Sequence, residues 1–302
     1  MHSHHDHRHN HANHFKSHNR SFALAVLLNV LFVAIEATYG VLSGSLALLA
    51  DAGHNLSDVL GLVMAWVASW LATRKATDRN TYGLKKSTIL AALFNALFLI
   101  AAVGGIAWEA IRRFSDPASV AGMTVIVVAG IGVVINGVTM LLFMKGQEGD
   151  LNIRGAFLHM AADTAVSVGV VLAGVIIMMT GLNWIDPLVS LVIAAVIFIG
   201  TWQLLKDSLN LAVDAVPRDI NPEDVFRSLE QLPGVESVHH LHIWGLSTTE
   251  NALTVHLVKP DPVSDDRVIE QATRMLARDF NIQHVTIQWE RVASNCPNMA
   301  YC

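Results

Sequence analysis

The chain has 302 residues, of which 53% are hydrophobic and 15% charged, and its mean hydropathy is +0.45. That is too apolar for a soluble globular protein and describes a polytopic membrane protein. The formal net charge of -5 gives no case for nucleic acid as a partner, and only two cysteines, Cys296 and Cys302, offer no disulfide framework, so a reducing compartment is acceptable.

Residues 1–20 are polar and carry His2, His4, His5, His7, His9, His11, His14 and His18, with no apolar run until Phe22, so no secretory signal is expected. The interrupted spacing suits a disordered cytoplasmic tail that captures zinc weakly; an affinity tag or an inert tail is the competing reading. A bilayer core of about 30 Å needs roughly 20 apolar residues per helix. Such runs recur at about 22–43, 47–72, 88–110, 119–144, 153–180 and 184–208, which makes residues 21–212 a six-helix transmembrane domain. Lys and Arg crowd one set of helix ends (Arg8, Arg74, Lys85, Lys145, Arg154, Lys206), against Arg112 and Arg113 on the other. The positive-inside rule therefore places both termini in the cytoplasm.

Residues 213–292 change character. Asn221 and Pro222 open an amphipathic helix, two alternating runs joined by STTE form a hairpin, Ser264 caps a second helix, and HVTIQWE is a last strand. This αββαβ order fits a small α+β domain with helices on one face of a sheet. Residues 293–302 form a tail whose two cysteines are possible ligands, spaced more widely than in the usual zinc motif.

Acids and histidines inside the spans carry the chemistry, because an Asp at a helix centre costs roughly 2.5–3.5 kcal/mol to insert. In the second span His54 and Asp58 stand at i and i+4, and in the fifth His159 and Asp163 repeat the spacing. If the helices face each other, two imidazoles and two carboxylates converge as a tetrahedral N2O2 site suited to Zn2+. The competing reading makes each pair hydrogen-bonded packing glue. Asp51, one turn before His54, either supports a ligand or lies on the ion's path; Glu36 serves packing or proton relay. On the expected strands, alternation puts His240 and His242 on one face and His239 on the other. Lys86 and Asp214 either pair or stand as solvated charges.

With its two H-x-x-x-D motifs and the stretches GSLALLADAGHNLSD, TYGLKKSTILAALFNA and IDPLVSLVIA, the sequence resembles the cation diffusion facilitator family of zinc transporters from about Asn19 to Glu290. The resemblance implies a homodimer of six helices and a cytoplasmic ferredoxin-like domain in the lipid bilayer, of the bacterial inner membrane type. It implies export of Zn2+ in exchange for protons, with His54, Asp58, His159 and Asp163 as transport ligands. It also points to His239 and His256, with an acid such as Glu290, as a cytoplasmic zinc site; strand histidines that only hydrogen bond are the alternative. Asn80 and Thr88 depart from the family's loop pattern, where a His and an acid are common, which argues against a metal site in that loop. The rivals to zinc export are a related exporter preferring cadmium, cobalt or iron, and a membrane metal sensor that does not transport. An enzyme is not expected, since no H-E-x-x-H is present.

Overall fold

The structure, a computed structural model, describes residues 29–115, 118–144, 151–261, 263 and 265–291. The N-terminal histidines, Ser264, Cys296 and Cys302 lie outside the described residues. The described N-terminal part is α1 (Asn29–Ser43), followed by α2 (Leu46–Ala72), α3 (Ser87–Ser115), α4 (Gly122–Met144), α5 (Leu151–Thr180) and α6 (Ile185–Ala212). Helices α2 to α6 are each long and apolar enough to cross a membrane, and α1 is a shorter apolar helix over its described length. The C-terminal part runs α7 (Pro222–Glu230), β1 (Ser237–Gly245), β2 (Asn251–Val258), α8 (Asp265–Phe280) and β3 (Ile282–Glu290). Among the described residues two compact units result, one drawn from the chain up to Leu60 and from Leu99–Ile199, the other from Gly61–Phe98 and from Gly200 onward.

The first unit is built inside out. Large apolar side chains stand exposed, Leu42 at 73% and Met179 at 78%, whereas Glu36, Asp51, Asp163 and Asp186 are at most 2% exposed. Hydrocarbon outside and polar groups satisfied inside is the arrangement a bilayer selects. Leu48, Leu99, Val103, Val125, Val170 and Ile193 fill the remaining core. Helices α4 and α5 approach through glycine: a Cβ on Gly122 would stand 2.9 Å from the Gly174 carbonyl. Small residues there let backbones meet. At its start, α2 is capped from another helix. Asp186 of α6 accepts from Ser45 Oγ at 2.5 Å and from the Leu46 N–H at 2.7 Å, supplying acceptors for otherwise orphaned donors.

In the second unit, Asn221 caps α7 by accepting from the Glu223 N–H, with Pro222 at the first helical position, as the sequence leads one to expect. The sheet has order β1-β2-β3, antiparallel between β1 and β2 and parallel between β2 and β3. Alternation along β2 turns Leu253, Val255 and Leu257 into a core shared with Val225 and Leu229 of α7 and Val268, Ala272 and Leu276 of α8. Lys259 is 3% exposed yet satisfied, donating to Asp265 Oδ1 at 3.0 Å and to the Val263 carbonyl at 2.8 Å.

The expected histidine faces on β1 need correction. His239 pairs with His256 and His242 with Thr254, so three steps on β1 oppose two on β2, and His240 is the extra residue of a bulge, at φ +52°. The insertion returns Leu241 and Ile243 to the core side, leaving His239 and His242 on the same face. Simple alternation fails because it assumes an unbroken ladder.

Candidate metal centre

Two helices bring the membrane residues together. His54 and Asp58 share one face of α2, and His159 and Asp163 one face of α5, because residues four apart stack along a helix. His54 Nε2 lies 3.2 Å from Asp163 Oδ1 and 3.8 Å from Asp58 Oδ2. His159 Nε2 lies 3.3 Å from Asp58 Oδ2 and 3.7 Å from Asp163 Oδ2. Each imidazole thus faces both carboxylates. Donor atoms about 2.0–2.1 Å from a tetrahedral ion stand about 3.3 Å from one another, close to these separations. His54, Asp58 and Asp163 make the tightest group, their donor atoms all within 4.8 Å of one another. His159 stands at the open side, its side chain 45% exposed against 2% for Asp163 and 16% for His54.

Two further rungs lie nearby. Ser167 of α5, one turn beyond Asp163, donates to Asp51 Oδ2 at 2.9 Å, tying α5 to α2 a second time. Asn55 Nδ2 donates to Glu36 Oε2 at 3.2 Å, joining α2 to α1. Oε1 of Glu36 and Oδ1 of Asp51 are buried without an amide or hydroxyl donor, and the two acids lie close enough to share a hydrogen bond with each other. Asp51 and Glu36 therefore stand beside the four-residue cluster and not within it. Ser167 and Asn55 were not singled out by sequence, since a serine or asparagine in an apolar span carries no sign of its partner.

The second group lies on the sheet. His256 Nδ1 and Glu290 Oε1 are hydrogen-bonded at 2.9 Å, and His239 Nε2 lies 3.3 Å from Glu290 Oε2, buried with no hydrogen-bond partner. A buried imidazole nitrogen facing a carboxylate but bonded to nothing fits a cation, and these three residues offer donor atoms within 4.8 Å. The bulge adds a third ring, His240, centred 4.7 Å from that of His256. Burial and then the charges of His256, His239 and His242 hold His240 below the ordinary histidine value. His284 is elsewhere, 3.2 Å from Glu250. The loop between α2 and α3 brings no metal-ligating cluster among the described residues, and Thr88 accepts instead from the Thr248 N–H at 3.1 Å. Lys86 and Asp214 do pair, at 2.7 Å.

Residues 22–211 match the cation efflux transmembrane domain, and residues 217–292 match the cytoplasmic domain of cation efflux proteins. The chain belongs to the cation efflux family. Similar proteins include the cadmium, cobalt and zinc/H(+)-K(+) antiporter of Bacillus velezensis, 36% identical over 98% of this chain and 95% of that protein. The metal cation efflux system protein CzcD of Cupriavidus metallidurans is 39% identical over 90% of this chain and 86% of its own length. The zinc transporter ZitB of Escherichia coli is 35% identical over 94% and 92%. This cation efflux protein is accordingly an integral membrane protein of a transporter family, with an α+β domain following its membrane helices.

Proposed function

We propose that the protein exports Zn2+ from the cytoplasm in exchange for protons, with His54, Asp58, His159 and Asp163 as the ligands in transit. The observation that carries this reading is the ring of four imidazole-to-carboxylate contacts between α2 and α5, at 3.2 to 3.8 Å. Two nitrogens and two oxygens match Zn2+ in donor type, and two carboxylates match its charge. The empty cluster is the costly state, because two carboxylates within a membrane span repel each other and lack hydration. Two protons neutralise the same charges that the ion does, so trading Zn2+ for protons keeps the cluster near neutral through the cycle. Asp51 and Glu36 hold the helices around the site or pass its protons. Cadmium and cobalt are the second reading for the ion, favoured by the printed names of relatives and by a donor set that does not exclude them.

The wider reading follows from the same family. The protein acts as a transporter and not an enzyme, works as a homodimer joined through its C-terminal domain, and lies in a bacterial inner membrane with both termini in the cytoplasm. Residues 1–20 serve as a zinc-capturing tail, residues 21–212 as the membrane domain and residues 213–292 as the cytoplasmic domain, where His239, His256 and Glu290 bind a regulatory Zn2+. Purified protein in proteoliposomes with an imposed pH gradient tests the core of this. Zinc accumulation that collapses with the gradient is the expected result, and zinc movement indifferent to the gradient would overturn proton exchange.

A further inference from the structure

Outside both histidine clusters, three side chains from separate parts of the second unit meet. Glu250 ends the β1–β2 turn, His284 lies on β3 and Lys85 precedes α3. Glu250 Oε2 and His284 Nε2 are 3.2 Å apart, and Lys85 Nζ is hydrogen-bonded to the first and 3.2 Å from the second. An ammonium has only donors, so its approach to Nε2 uses the ring's lone pair, the one a metal would take. Tyr82 packs edge-on against the His284 ring at 5.9 Å. All three side chains are partly open, Lys85 24%, Glu250 37% and His284 38% exposed, so an ion can reach them. The Lys85 hydrogen bond foremost holds the Glu250 carboxyl below its ordinary value, so it is anionic at neutral pH.

The second observation is the space beside Glu250. A cavity of about 520 Å3 is lined by Glu250 and the turn before it, by Thr88 and Asn95 of α3, and by α2. The α2 positions are Gly61, Ala65, Ser69 and Ala72, at three- and four-residue spacing along one face of the helix. Only small side chains keep it open: a Cβ on Gly61 would stand 2.8 Å from Asn95 Nδ2. The walls offer hydroxyls and an amide, groups that can stand in for part of an ion's hydration shell.

We propose that Glu250 and His284 form a divalent-cation site at the cytoplasmic mouth of this cavity, and that the Lys85 ammonium holds the cation's place until an ion displaces it. The site's purpose rests on the transport reading; its chemistry does not. Two protein donors completed by water bind a borderline ion such as Zn2+ weakly, which suits capture and onward release better than a closed cage would. Lys85 serves the empty state by neutralising Glu250 and tying the turn to the segment before α3, and it sets the concentration at which an ion competes.

The alternative is a plain structural bridge, and the two accounts differ in sign. Both Glu250→Gln and Lys85→Gln break the bridge, so a structural role moves transport in the same direction in both variants. A cation site separates them: Glu250→Gln raises the zinc concentration for half-maximal uptake by the full-length protein, by at least the roughly ten-fold that loss of even an outer-shell partner costs, whereas Lys85→Gln lowers it by removing the competitor. A readout independent of flux is acetylation of Lys85 by an N-hydroxysuccinimide ester, followed by peptide mass spectrometry on full-length Asp163→Ala protein. Added Zn2+ is expected to raise Lys85 reactivity severalfold there, and to leave it unchanged once Glu250→Gln is added. Shifts of the same sign in the two variants, no shift in either, or Lys85 reactivity indifferent to zinc would each overturn the proposal. Zinc that frees Lys85 in a parent protein with no flux would sink the transport reading and leave this site standing.

Discussion

Asp163 Oδ1 lies 3.2 Å from His54 Nε2, a contact between residues 109 positions apart that fastens α5 to α2. With the Asp163 side chain 2% exposed, a facing imidazole, a proton or a cation is all that compensates its charge. Asp163→Ala is therefore expected to insert at least as well as the parent, relieved of a group costing roughly 2.5–3.5 kcal/mol at a helix centre, and to lose zinc flux. Its stabilisation by zinc, which follows RT ln(1 + [L]/Kd), is expected to lose the transport-site part. A packing role predicts otherwise: a loss of about 0.6 kcal/mol for an interhelical hydrogen bond, with flux retained. Zinc flux per folded protein, measured beside melting temperature with and without zinc, decides between them.

Much of this architecture is legible before any coordinates. Hydropathy alone marks the spans, and the doubled i, i+4 spacing of His and Asp marks the faces of α2 and α5 that meet. Alternation and capping residues likewise give the αββαβ order. What escapes is non-local. Asp186 reads as a boundary charge at the start of an apolar run, yet it caps a helix beginning 140 positions earlier. Lys85 and Glu250 pair across 165 positions, with nothing in either neighbourhood to announce it. The bulge at His240 is invisible because one inserted residue changes the side-chain face without changing composition.

The Asp186 cap has a measurable consequence for the helix that carries two of the proposed ligands. Asp186→Ala leaves the Ser45 hydroxyl and the Leu46 N–H without their acceptor in a buried setting, and each such donor costs about 1–3 kcal/mol. The variant is expected to melt well below the parent, whereas Asp186→Asn, which keeps one side-chain acceptor, falls between them. Equal melting temperatures for Asp186→Ala and the parent would remove the cap from the account.

Acid stability of the C-terminal domain has a defined origin. The Arg291 hydrogen bond first, and then that of Lys259, hold the Asp265 carboxyl below the usual carboxylate range. A carboxyl with a depressed folded-state pKa contributes stability fully above its unfolded value near 3.9, and the contribution is lost as pH falls through the lower folded value. The pair is thus silent between neutral pH and about pH 5 and weakens below about pH 4. Asp265→Asn is expected to melt lower at neutral pH and to show a shallower acid decline, followed by tryptophan fluorescence of the full-length protein. A decline as steep as the parent's would assign acid sensitivity to other carboxylates.

His240 offers the sharpest test of how the sheet serves the proposed zinc site. At φ +52° it occupies a left-handed conformation that a β-carbon disfavours and glycine adopts freely. The bulge needs an extra residue there, but it does not need an imidazole, and strain that the local fold does not require points to use of the side chain. The ring lies 4.7 Å from that of His256 and 5.5 Å from that of His239, within reach of an ion held by those residues and Glu290. His240→Gly keeps the bulge, removes the strain and removes the ring. The metal-free variant is expected to melt a few degrees higher than the parent, while the rise produced by zinc becomes smaller. Deleting His240 outright acts differently, since closing the bulge shifts either Leu241 and Ile243 or Val238 to the face opposite the core, and the domain is expected to unfold. A glycine variant no more stable than the parent without metal would show that the left-handed turn carries no strain. An unchanged zinc increment in that variant would confine the site to His239, His256 and Glu290.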